Sequence, residues 1–172
     1  MGWDTVEALL FELGKSVFIA YFVLFVLSVA FERKVSSLVI SLMVLAVANG
    51  AMTALTPLLY QLASSPGLVY KFLWYAVFVC IDGIAIFLLY KFHAMLRQNV
   101  SLIANVIGFA FLMLASIQSL RFVDRFVSNT ELLQSVYQYG VPLINIMLVP
   151  MIVVLWVANI KAEHKPAEAV MG

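Results

Sequence analysis

The chain has 172 residues, 65% hydrophobic and 11% charged, with ten Lys and Arg against nine Asp and Glu, and a mean hydropathy of +1.06. A soluble domain is roughly 45–50% apolar and about 25% charged, and one of this length buries only about 70% of its unfolded surface, so in water this composition would leave an aggregating apolar shell. That excludes soluble enzymes, and the flat charge balance with no basic block excludes a nucleic-acid partner.

A transmembrane helix needs roughly 20 mainly apolar residues, and the sequence predicts about five, in a single all-α bundle over residues 1–172. The first covers about 5–31. Its uninterrupted apolar run, Ser16 to Phe31, is slightly short. The helical pattern from Val6 to Leu13 extends it, and the alternative architecture is four full spans plus an interfacial N-terminal helix. Asp4 and Thr5 are candidate caps, and acids in the first turn suit the helix dipole. Asp4, Glu7 and Glu12 stand where a cleavable signal carries positive charge, and Val6 breaks the myristoylation pattern after Met1-Gly2. Glu12 and Lys15, three apart, are spaced to pair.

Glu32-Arg33-Lys34 interrupts the apolar pattern and predicts a tight hairpin to the second span, 35–60, which carries no charge. Asn49 sits near its middle, with Thr53 and Thr56 on the same face. Ala46, Gly50 and Ala54 repeat every four residues, the small-xxx-small spacing that brings helix backbones together. Residues 61–67, rich in Ser, Pro and Gly, form a turn.

The third span, 68–90, contains Asp82, the one acid in mid-span. An ionised Asp at the bilayer centre costs roughly 2.5–3.5 kcal/mol on insertion scales. It therefore faces a polar interior or a partner, or is protonated and hydrogen-bonded between helices. Lys71 is on nearly the same side of this helix but about 16 Å along it, at 1.5 Å per residue, too far to pair. Cys80, the one cysteine, lies in an apolar run and reads as a small hydrophobe. His93, in the connection 91–99, and His164, in the tail, both stand among Lys and Arg and read as solvated. The sequon Asn99-Val100-Ser101 is attributed to chance.

In the fourth span, 100–120, Ser101, Asn105, Gly108, Leu112, Ala115 and Ser119 follow a 4-3-4-3-4 spacing and predict a close-packing seam. Arg121, Asp124 and Arg125 then share one face of an interfacial amphipathic turn. Ser128-x-x-Glu131 matches a capping box and predicts a helix start near Asn129. The last span, 132–160, places Asn145 near its middle and continues that stripe through Gln138 and Gln134. Pro142 and Pro150 free backbone carbonyls near Gln138 and Ile146. Residues 161–172 form a short tail.

Counting Lys and Arg by side sets Arg33, Lys34, Lys91, Arg97, Lys161 and Lys165 against Lys15, Lys71, Arg121 and Arg125. The richer side is expected to be cytoplasmic, with the N-terminus outside, the C-terminus inside, and a plasma or inner membrane as the site. No G-x-S-x-G, H-E-x-x-H, second mid-span Asp or mid-span His occurs, so no catalytic residue, metal or cofactor is expected. Two functions compete. The first is a non-enzymatic accessory or oligomeric subunit, with the lipid bilayer and either itself or another membrane protein as partners. The second is a small proton or cation channel or transporter centred on Asp82, with Asn49, Asn145, Gln138 and Thr53 as the polar core. An intramembrane enzyme is a distant third reading.

Overall fold

A computed structural model describes the backbone of residues 3–164 and the side chains of residues 12–161. The predicted caps Asp4 and Thr5, the His164 side chain and the tail from 165 onward lie outside these described residues. Five helices follow in chain order: α1 (Trp3–Glu32), α2 (Ser37–Ala63), α3 (Leu68–Met95), α4 (Leu102–Phe126) and α5 (Gln134–His164). All five are long and apolar enough to cross a membrane, and no strand occurs among the described residues. The shortest apolar stretch, Glu12–Glu32 of α1, has 21 residues. At 1.5 Å per residue it reaches about 31 Å, the thickness of the hydrocarbon core.

Short connections make successive helices antiparallel neighbours, and contact between α1 and α5 closes the series. The Tyr21 hydroxyl on α1 donates to the Asn145 carbonyl on α5 at 2.7 Å. The core lies mainly on α2, α3 and α4, where Leu42, Leu45, Leu89, Ile103 and Ile107 are buried. We call the end that carries residues 64–67 and 127–133 the upper end, and the opposite one the lower end.

Gly50 belongs to the close-packed face of α2, and its neighbour is within the chain. A Cβ added there would stand 2.8 Å from Phe18 Cε2 on α1. Ala46 is buried, whereas Ala54 is open to the surface. On α4 the close approach is at Gly108, where a Cβ would meet the Tyr90 hydroxyl at 2.9 Å and Leu89 at 3.4 Å. The buried stripe of α4 runs through Ile103, Ala104, Ile107, Phe111, Leu114 and Gln118. The predicted seam lies along its edge: Ser101 and Ala115 are half-buried, and Asn105, Leu112 and Ser119 are exposed.

Three local expectations are corrected. First, α3 runs on through Met95, and His93 is buried rather than solvated. It stands four residues after buried Leu89, so it continues that stripe. Second, Arg121, Asp124 and Arg125 are not a separate interfacial turn. They form the last turns of α4, with Arg121 and Asp124 buried. Third, no capping box starts α5 near Asn129. Asn129 takes a left-handed conformation at φ 51° and the helix begins at Gln134. Glu131 is diverted to Arg121 and Arg125. The Leu133 N–H instead donates to Asp124 Oδ2 at 3.1 Å, so the acid at the start of α5 comes from α4.

Gly50→Leu should therefore lower the thermal stability of the detergent-solubilised chain by about 1–3 kcal/mol, the usual result of overpacking. Phe18→Ala in the same chain should recover part of that loss. Strictly additive effects of the two substitutions would show that these side chains do not meet.

Candidate functional site: a cation- and aromatic-lined cavity

At the upper end, α2, α3, α4 and α5 enclose a cavity of about 520 Å³, within the range typical of small-molecule sites. Its walls are aromatic. Tyr60 and Trp74 meet edge to face at 6.4 Å, and Tyr75 and Tyr137 are 5.8 Å apart. Trp74 Nε1 donates to the Tyr137 hydroxyl at 2.9 Å, which fixes one wall across α3 and α5. Three cations line the space, Lys71, Arg121 and Arg125, and no Asp or Glu does.

The cations are held differently. Arg121 is buried, donating to Asp124 at 2.6 Å and also to Glu131. Asp124 in turn accepts from Thr130 and from the Leu133 N–H. Burial of this pair is compatible with a membrane only because the lone pairs and protons are answered locally. Arg125 is half exposed. Its Nε is 3.7 Å from Glu131, and its guanidinium lies 5.4 Å from the centre of the Phe126 ring. Lys71 donates to the Ala63 carbonyl at the end of α2, at 2.6 Å. No ion pair joins it to a carboxylate among the described residues. Around the cavity, the three cations Lys71, Arg121 and Arg125 against the two acids Asp124 and Glu131 sum to +1.

A second cavity of about 210 Å³ lies deeper, between α1, α2 and α5. It brings together three of the predicted polar-core residues, Asn49, Gln138 and Asn145, with Pro142 beside them. Tyr137 and Gln138 line both cavities. The Asn49 Oδ1 is buried without a partner among the described residues. The Asn145 amide donates to its own helix at Val141, at 2.9 Å. Thr53 does not join them; its hydroxyl donates to the Asn49 carbonyl at 2.8 Å.

Asp82 also stays apart. It lines neither cavity and is 1% exposed on the buried stripe of α3, between Phe78 and Ala85. Neither carboxylate oxygen has a hydrogen-bond partner among the described residues.

Sequence reasoning missed a polar junction at the lower end. His93 Nδ1 donates to the Leu89 carbonyl at 2.7 Å, because a carbonyl only accepts. His93 Nε2 lies 2.7 Å from Ser37 Oγ, which is 2.8 Å from Ser101 Oγ and accepts from the Ser101 N–H at 3.1 Å. Ser101 also caps α4 by accepting from the Ala104 N–H. The junction ties α2, α3 and the start of α4, and no cavity adjoins it among those described. The signal that could have exposed it was the placement of His93 four residues after Leu89.

Among the described residues, no group of three or more His, Cys, Asp and Glu is placed to hold a metal ion. Comparison with protein-family models, curated proteins and solved structures finds no match for the chain.

Two stability predictions follow from this geometry. Arg121→Met strands the Asp124 carboxylate and should cost about 3–5 kcal/mol. Arg125→Gln, at a half-exposed pair, should cost less than about 1 kcal/mol. Equal losses in detergent unfolding would show that the buried pair does not hold this end. Asp82→Leu should raise stability by about 1–3 kcal/mol, because it removes an unpartnered buried polar group. Lower stability would reveal a partner for the carboxyl.

Proposed function

We propose that this chain is a non-enzymatic membrane protein that binds a small solute at its upper end and admits it toward mid-bilayer, as a small channel or transporter does. The observation that supports this reading is the sharing of Tyr137 and Gln138 by the two cavities. Tyr137 and Gln138 stand between the two cavities, so the proposed path runs from the helix ends past these side chains to Asn49 and Asn145, near the midpoints of α2 and α5. The path bypasses Asp82, so the acid is not its centre. Pro142 favours such a path, because the carbonyl of Gln138 lacks its usual helical N–H and is available to a solute or water.

The accessory-subunit reading has one specific support. Only 11% of the apolar stretch of α5 is buried, so this helix offers the longest open flank to a partner. The Gly50 face supports it less, since Phe18 of the same chain already occupies it.

We take the side richer in Lys and Arg by sequence, six against four, to be cytoplasmic, with the C-terminus on that side. The wide cavity then opens on the outer face of a plasma or inner membrane.

Cysteine labelling tests the path and the orientation together. With Cys80, which is exposed, replaced by Ser, Gln138→Cys and Asn145→Cys should react with a membrane-impermeant thiol reagent added outside. Val154→Cys, on the open flank of α5, should not. Reaction only from the cytoplasmic side would reverse the orientation, and no reaction from either side would remove the path.

A further inference from the structure

The upper cavity has the chemistry of a site for an acidic amphiphile, and we propose that it binds one, with a phosphate or carboxylate head on Lys71 and Arg125 and an apolar body against Trp74, Tyr75 and Tyr137. This rests on the reading that a solute occupies the cavity, and it names the class.

Two ligand classes suit a wall of Trp and Tyr. A quaternary ammonium is held by the negative ring faces. An amphiphile uses the same rings as apolar surface with polar rims. Charge decides between them. Three cations line the space and no carboxylate does, and with Asp124 and Glu131 behind Arg121 the balance around it is still positive, which favours an acidic ligand over a cationic one.

The head position follows from what is already satisfied. Arg121 is committed to Asp124 and Glu131 and acts as a frame. Lys71 has used one of its three N–H donors, on Ala63. Arg125 approaches Glu131 through Nε. Lys71 and Arg125 are therefore the groups with donors to spare. Lys71 is in the first turn of α3 and Arg125 in the last turn of α4, at the level of the membrane boundary. The aromatic wall includes Trp74, one turn further in, with buried Phe78 behind it at 5.2 Å. Charge at the rim and rings below match an amphiphile standing in its usual orientation, and they give a free anion nothing to gain from the rings.

The full chain in phosphatidylcholine nanodiscs, with Trp3→Phe and Trp156→Phe, reports binding through Trp74 fluorescence. Lysophosphatidate should bind at least about tenfold more tightly than lysophosphatidylcholine, and inorganic phosphate should bind far more weakly than lysophosphatidate. Lys71→Gln, which keeps a donor for Ala63, should lose about tenfold in lysophosphatidate affinity, the effect of one charge-assisted hydrogen bond. Arg125→Gln provides a second reading should Lys71→Gln fail to fold. Lys15→Gln, at an exposed pair with Glu12, should change nothing. Equal binding of the neutral lysolipid, equal binding of phosphate, or full affinity in both cavity variants would overturn the proposal. Cysteine labelling at Gln138 that succeeds while these tests fail would overturn the ligand class and leave the path standing. Binding without any labelling would do the reverse.

Discussion

The ion pair between Arg121 and Asp124 organises the upper end of the bundle. Hydrocarbon cannot solvate stray polar groups, so a guanidinium and a carboxylate buried at a helix end persist only if each finds partners nearby. Asp124 collects Arg121, Thr130 and the Leu133 N–H. Those bonds turn the chain after α4, hold residues 127–133 against it and start α5 at Gln134. The position of α5 follows from this turn, and with it the placement of Gln134, Tyr137 and Gln138 along the cavity. Glu131, drawn to the same guanidinium, is kept off the aromatic wall, which leaves that wall facing only cations.

The lower end is tied by a histidine and two serines. Ser37 meets His93 and Ser101 across 56 and 64 residues of chain, at 2.7–3.1 Å. Between the two ends, packing is apolar and close, as at Gly50 on Phe18 and Gly108 on Tyr90. Three polar side chains in this middle layer have unanswered atoms among the described residues: Asn49, Asp82 and Gln118. Asn49 opens onto the deeper cavity, where a solute or water can answer it. Asp82 lines neither cavity, so its burial costs α3 stability with no hydrogen bond among the described residues to offset it.

Helix number and approximate bounds were legible because a span needs about 20 apolar residues, a signal carried by every position of the stretch. The local pair of Glu12 and Lys15 was legible because three-residue spacing on a helix fixes proximity. The mid-depth polarity of Asn49 and Asn145 was legible from their positions within apolar runs. Even where the residues were read correctly, their use was not. Ser128 and Glu131 fit a capping pattern, but Arg121 outbids a local cap for Glu131, since a charged donor makes the stronger bond.

By itself, then, the amino-acid order determined a membrane-spanning helical bundle and the positions of the mid-span polar groups along their helices. Only tertiary structure decided which polar groups meet. Depth follows from distance along one helix, but meeting depends on how helices rotate about their axes and which neighbours they choose. Those choices set Asp82 among apolar side chains, His93 beside Ser37, and Lys71 with Arg125 on one cavity formed by four helices. The reason is energetic: in lipid, helix association has little hydrophobic drive, so close packing at small residues and the satisfaction of scattered polar groups select one arrangement among many of equal hydropathy.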